Sequence, residues 1–242
     1  MNELATRLGA LYDKADALTP GEKLAIGPAL VGHVLDRSAM DGLFWLKWVS
    51  TRDEADPHQS VKPFPIHLPY VRAFWKVMED NQRVVLAKSR QMLVSWTVCA
   101  FCCWIARFRP NQAVFWQSQQ YEDAAMMIAM PEGGYRGRCQ FIEETLESWM
   151  RLPIKCSEGR IQYPNGSLIQ AVAGGANKVR GKVVSLYVGD EFAHQEDQAG
   201  VYSAVGPLMQ KGARAIFVST PNGSDNFFAT LWHGRPVGAV KP

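Results

Sequence analysis

The sequence predicts an α/β fold: a mainly parallel sheet flanked by helices, with a ligand at the C-terminal edge of its strands. Three apolar runs predict it, each spilling into polar residues at its C-terminal end. Val84 to Ala87 breaks into the polar loop Lys88-Ser89-Arg90-Gln91 and re-enters an apolar run long enough for a buried helix. Ser185-Leu186-Tyr187-Val188-Gly189 ends in Asp190-Glu191, and Ala215-Ile216-Phe217-Val218 ends in Ser219-Thr220-Pro221-Asn222-Gly223. Strands that carry their polar residues at one end describe a parallel sheet with its binding crevice at that edge.

The remaining elements follow in chain order. Leu4, Leu8, Leu11, Ala15 and Leu18 recur at helical spacing, and Thr19-Pro20-Gly21-Glu22 reads as a capping box that starts a second helix at Pro20. That helix carries Leu24, Leu30, Val31, Val34 and Leu35 and leads into a Trp-rich piece, Leu43 to Val49. This helical portion either covers the sheet or docks a partner subunit. Thr51 to Pro65 is polar, holds three prolines, and reads as a linker or exposed loop. Residues 1–60 are therefore expected to be a helical N-terminal segment and linker, and 61–242 the α/β domain.

Leu68-Pro69-Tyr70-Val71 opens a helix through Phe74, Trp75 and Met78. Ala113 to Trp116 is a further strand and Gln119 to Met130 a helix. Gly133 to Arg138 is a basic, glycine-bearing loop, suited either to a DNA backbone or to solvent. Arg160 to Gln170 is a hairpin turning at Asn165-Gly166, followed by Gly174 to Gly181 ahead of the acidic strand. Val201 to Gln210 is helical, Ala213 to Ser219 a strand, and Asp225 to Trp232 a short helix.

A chain of 242 residues, 47% hydrophobic and 20% charged, supports one substantial core. Its net charge of +3 is too slight to argue for nucleic acid, because a DNA-binding face needs clustered rather than summed charge. The N-terminus lacks the order of a signal peptide, and the longest apolar run, Met92 to Ala106, falls short of a membrane span. Five cysteines include Cys99-Ala-Phe-Cys102, but no second pair has ligand spacing. They read as reduced core cysteines of a cytosolic protein.

The chemistry starts from the strand, loop, helix order around Lys88, which is that of a phosphate-binding loop. Phosphoryl transfer to water is mostly positioning and charge neutralisation, so it needs a cation on the phosphates, a metal and a group that orients water. Lys88 is the candidate cation, Ser95 the hydroxyl in the first helical turn, and Asp190-Glu191 the pair that delivers one carboxylate to Mg²⁺ and one to the attacking water. The loop has no glycine and its Lys stands seven positions before Ser95, from which weak nucleotide affinity is expected.

Taken in order, Lys88-Ser89-Arg90-Gln91 with Ser95, Arg180-Gly181 ahead of Asp190-Glu191, and Ser219-Thr220-Pro221-Asn222-Gly223 resemble the ATPase domain of the large subunit of tailed-phage terminases, over roughly Pro65 to Trp232. The resemblance implies a P-loop NTPase-type (ASCE) fold and Mg²⁺-dependent hydrolysis of ATP that drives double-stranded DNA into a procapsid. It implies ATP-binding roles for Lys88, Ser89, Arg90, Gln91 and Ser95, with Arg90 on the γ-phosphate in cis and Mg²⁺ on Ser95 and Asp190. Glu191 would be the general base, Arg180 would either reach a neighbouring subunit's ATP or form a structural ion pair, and Ser219, Thr220, Pro221 and Asn222 would form the coupling motif. Val71 stands where the family commonly has an adenine-reading Gln, so the base would be met either by Tyr70 stacking or by another group that the sequence does not mark. The implied partners are DNA, a portal ring, a small terminase subunit and further copies in a ring, in the host cytoplasm. Such subunits usually continue into a nuclease domain, for which 242 residues leave no room, so no DNA cleavage is expected. Two other readings are a helicase-like remodelling ATPase and a degenerate, non-hydrolysing assembly module.

Overall fold

The computed structural model describes residues 20–52, 58, 61–89, 92–132 and 135–234. The expected first helix, Arg90, Gln91 and the Gly133-Gly134 pair lie outside the described residues. The chain opens with α1 (Pro20–Met40), which starts at the proline the capping box indicated, and a single turn, α2 (Gly42–Trp45), capped by the Asp41 carboxylate on Phe44 N at 3.0 Å. β1 (Ser50–Arg52) and β2 (Val61–Pro63) then pair antiparallel, Ser50 opposite Pro63 and Arg52 opposite Val61. The polar stretch expected to be a linker is thus paired at its two ends. Strands of three residues are too short to leave a period, which is why composition alone reads as loop.

Next come α3 (Pro69–Asp80), β3 (Arg83–Ala87), α4 (Val94–Phe108), β4 (Ala113–Gln117), α5 (Tyr121–Ile128) and α6 (Arg138–Thr145). The chain continues through β5 (Lys155–Ser157), β6 (Arg160–Gln162), β7 (Leu168–Val172), β8 (Leu186–Gly189), α7 (Gln198–Gln210), β9 (Arg214–Ser219) and α8 (Phe227–Trp232). Seven strands form one sheet in the order β3-β9-β8-β4-β7-β6-β5. The first five are mutually parallel, and the β6–β7 hairpin adds the antiparallel edge, turning at Asn165-Gly166 as the sequence indicates.

The parallel strands are covered on both faces, which is why they read as unbroken apolar runs. Alternation along each strand divides the core. Val114, Trp116, Val188, Ile216 and Val218 pack on the face that holds α4, while Phe115, Tyr187, Ala215 and Phe217 pack against α7 and α8. In α4 every residue from Val94 to Arg107 is buried except Ser95. Its C-x-x-C and Cys103 lie in that buried stretch, packed towards Cys139 of α6. The N-terminal helices share this core: Trp45 is fully buried, its ring centroid 6.3 Å from that of Trp75, and Trp104 Nε1 donates to Ser38 O at 2.8 Å. Near the C-terminus of α4, Arg107 forms a buried ion pair with Glu143 of α6, which also accepts from Tyr163 Oη at 3.0 Å.

Candidate active site

Strand order brings the predicted residues together. β9 lies between β3 and β8, so the C-terminal ends of the three strands place Lys88, Ser219 and Asp190 side by side, with Lys88 N donating to Ser219 O at 2.9 Å. After β3 the chain enters α4 at Val94. Leu93, immediately before α4, adopts a left-handed conformation, φ 55° and ψ 13°. A phosphate loop usually meets this need with glycine; here a branched residue takes it, at a cost of about 1–2 kcal/mol. Lys88, seven residues before Ser95, returns beside it: its Nζ lies 3.3 Å from Ser95 Oγ, 3.0 Å from Glu191 Oε1 and 3.8 Å from Asp190 Oδ1.

Adjacent residues in a strand point to opposite faces, yet Asp190 and Glu191 both meet Lys88. Backbone geometry explains this, because Glu191 is left-handed at φ 42° and ψ 45° and turns the chain out of the strand. Asp190 is 4% exposed, and its Oδ1 has no hydrogen-bond partner. Burial pushes its carboxyl above the usual range, with Lys88 acting against that rise. Burial also opposes ionisation of Glu191, but the Thr220 N–H at 3.0 Å, the Lys88 ammonium and the Thr220 hydroxyl at 2.8 Å outweigh it and hold Glu191 below its ordinary value.

The turn after β9 is tied to the same carboxylate. Ser219 Oγ donates to Thr220 O at 2.8 Å, lies 3.3 Å from Glu191 Oε2, and accepts from Ala193 N at 3.0 Å. Asn222 Nδ2 donates to Ala193 O at 3.1 Å, and Pro221 beside it is exposed. Lys88, Ser89, Ser95, Asp190, Glu191 and Thr220 line one cavity of about 1200 Å³.

Two predicted residues stand apart. Tyr70 is exposed on α3 and Arg180 is exposed beside Asn177, and neither is among the residues lining this cavity. Among the lining residues that the sequence reading did not assign to this site are Arg52, Ser118, Asp123 and His194, whose Nε2 is 3.0 Å from Thr220 Oγ1, and Arg138, read there only as part of a basic loop. Ser118 had a signal, because it follows the apolar strand β4 just as Lys88 follows β3. Arg52, in a polar stretch without period, had none.

The donor set suits a hard cation. A buried carboxylate oxygen without a partner and a hydroxyl both approach the Lys88 ammonium, so cationic charge is already accommodated between them. Magnesium is held by one or two carboxylates together with waters and substrate phosphates rather than by a full protein cage.

A parallel sheet with a lysine at the end of one strand, an acidic pair at the end of the strand two places away and one strand between them is the arrangement of a P-loop NTPase-type domain. The sequence model of the N-terminal part of the terminase large subunit, T4likevirus-type, matches residues 85–236, more than half of the chain, and the chain belongs to that family. Solved structures agree on the fold. The large terminase of bacteriophage HK97 is 12% identical with a TM-score of 0.58, over 80% of this chain and 40% of that one. The large terminase of a thermophilic bacteriophage, solved in complex with ADP, is 11% identical with a TM-score of 0.52, over 68% and 40%. A mutant of the Thermus phage P74-26 large terminase ATPase domain is 16% identical with a TM-score of 0.50, over 69% and 71%. The chain thus spans about 40% of the length of the first two of these terminases.

Proposed function

We propose that this chain hydrolyses ATP with Mg²⁺ and uses the reaction to move double-stranded DNA into a procapsid. The observation that carries the reading is the meeting of Lys88 with Ser95, Asp190 and Glu191 at the C-terminal edge of the sheet. Residues 61–242 would form the ATPase domain.

In this reading Lys88 leaves the carboxylates to contact the β- and γ-phosphates, with Ser89 beside it in the loop. Ser95 and Asp190 would hold Mg²⁺, which would neutralise charge on the phosphate oxygens. Glu191, kept ionised by Thr220, takes the proton of the attacking water. The water oxygen forms the new bond to the γ-phosphorus, and the bond to the β–γ bridging oxygen breaks with its electron pair on ADP. Arg90 and Gln91, in the same loop, are assigned to the γ-phosphate by family resemblance alone, as Tyr70 is to the base.

Ser219, Thr220, Pro221 and Asn222 are suited to coupling because the turn that holds Glu191 also reaches the surface at Pro221 and Asn222. Arg180 would act on the ATP of a neighbouring copy in a ring, a role supported by its exposure outside the cavity of its own chain. That ring would sit on the portal with the small terminase subunit, in the host cytoplasm.

The test is steady-state MgATP turnover with and without duplex DNA and procapsid. Lys88→Ala should abolish it, and a retained rate would remove Lys88 from the site. Strand separation without a portal would favour a remodelling ATPase, and absence of nucleotide binding a non-hydrolysing assembly module.

A further inference from the structure

The cavity holds more polar groups than the hydrolytic residues explain. Three buried polar atoms without a hydrogen-bond partner, Arg52 Nε, Ser118 Oγ and Asp190 Oδ1, belong to residues that line it. Unsatisfied buried groups in a native fold point to an ion, a water or a ligand. Asp190 is accounted for by the hydrolytic site. Arg52 and Ser118 are not.

Arg52 is the stronger anomaly. It is 4% exposed and forms no ion pair with a carboxylate among the described residues. Its Nη2 donates to Arg136 O at 2.8 Å, and its guanidinium lies 4.1 Å from the Tyr135 ring centroid, 5.2 Å from that of Phe141 and 5.9 Å from that of Trp96. Aromatic faces soften the burial of a cation but bring no counter-charge, and a buried charge is costly until an anion meets it. Arg138 lies 5.6 Å from the same Trp96 ring and lines the same wall. The Arg138 charge also favours ionisation of Asp190; the wall itself comes from β1, β2, α5 and α6. Its carboxylate among the described lining residues is Asp123, since Asp190 and Glu191 are engaged with Lys88. The cavity, at about 1200 Å³, exceeds the roughly 300–1,000 Å³ of ordinary small-molecule sites, which leaves room beyond one nucleotide.

We propose that Arg52, with Arg138 beside it and the Ser118 hydroxyl on the same cavity, forms a second oxyanion subsite that takes the inorganic phosphate released by hydrolysis. The inference rests on the ATPase reading for the source of that phosphate. A recessed guanidinium suits a small free oxyanion, whereas the phosphates of a duplex meet exposed side chains.

The test is calorimetric titration of inorganic phosphate into the full chain, with and without MgADP, for the wild type, Arg52→Met, Arg52→Lys and Arg138→Met. Phosphate should bind the wild type, bind about tenfold more weakly to Arg52→Met and to Arg138→Met, since each loses a charge-assisted hydrogen bond, and be largely retained by Arg52→Lys. ADP affinity should stay unchanged in the two Arg52 variants. If ADP binds while phosphate binding is absent, or is insensitive to these variants, the subsite is overturned and the ATPase reading stands. If ADP fails to bind the wild type while phosphate binds through Arg52, the ATPase reading falls and with it the source of the phosphate, while the oxyanion subsite itself stands. Displacement of bound phosphate by a duplex oligonucleotide would overturn the assignment to free phosphate. Thermal unfolding identifies any variant that misfolds; should Arg52→Met be one, Arg138→Met decides.

Discussion

Replacing Glu191 with Gln deletes one negative charge beside Lys88 while keeping the side chain's shape, and the two readouts should move in opposite directions. Lys88 must exchange its 3.0 Å contact with Glu191 for a phosphate oxygen. At that distance two unit charges attract by about 1.4 kcal/mol in water and about 5.5 kcal/mol at an effective dielectric of about 20. The Glu191 side chain is 40% exposed, so screening and side-chain ordering bring the net value down to about 1 kcal/mol. Releasing Lys88 from that contact should tighten nucleotide binding about fivefold. Loss of the proton acceptor should lower turnover by about 10²–10⁴-fold. A fluorescent nucleotide titrated in the presence of Mg²⁺ reports the first, and phosphate release the second. Turnover near the wild-type rate, or nucleotide binding weakened rather than strengthened, would refute the reasoning.

Thr220→Ala should raise the acid limit of turnover. Glu191 accepts a proton only when ionised, so activity is present above its pKa and lost as pH falls through it; removing the 2.8 Å donor raises that pKa, and the loss should begin at higher pH. A pH–rate profile that stays put, or shifts to lower pH, would contradict this. Glu143→Ala leaves the Arg107 charge buried, since their side chains are 2% and 1% exposed, and should cost about 3–5 kcal/mol of stability in denaturant unfolding. A loss under about 1 kcal/mol would mean that water or a shift of Arg107 relieves the charge. Mixing Arg180→Ala subunits with Glu191→Gln subunits should restore part of the DNA-stimulated rate, because each copy lacks what its neighbour provides; no recovery would place both residues in one chain's site.

Much of the sheet was legible because its central strands are buried on both faces and so carry no polar interruption until they end. The same rule located Lys88, Ser95, Asp190 and Glu191, which the fold brings to one point across about a hundred residues of sequence. β1 and β2 were not legible: three residues cannot display a period, and their pairing is set by tertiary context. Arg52 was missed for the same reason. The glycine deficit of the loop after β3 is legible and gives the expectation of weak nucleotide affinity; the left-handed conformations of Leu93 and Glu191, which glycine most readily adopts, are not. Such conformations leave no mark in sequence, since the surrounding packing imposes them.

The placement of β9 between the two halves of the site has a mechanical corollary. Consecutive residues on one chain grip opposite sides: the Ser219 carbonyl holds the backbone of Lys88, and the Thr220 hydroxyl holds Glu191. Any load applied to the exposed Pro221–Gly223 segment is therefore shared between the group that would steady the phosphates and the group that would deprotonate water. Thermodynamic reciprocity then requires that if nucleotide alters how firmly this segment grasps a polymer, the polymer alters nucleotide affinity by the same factor.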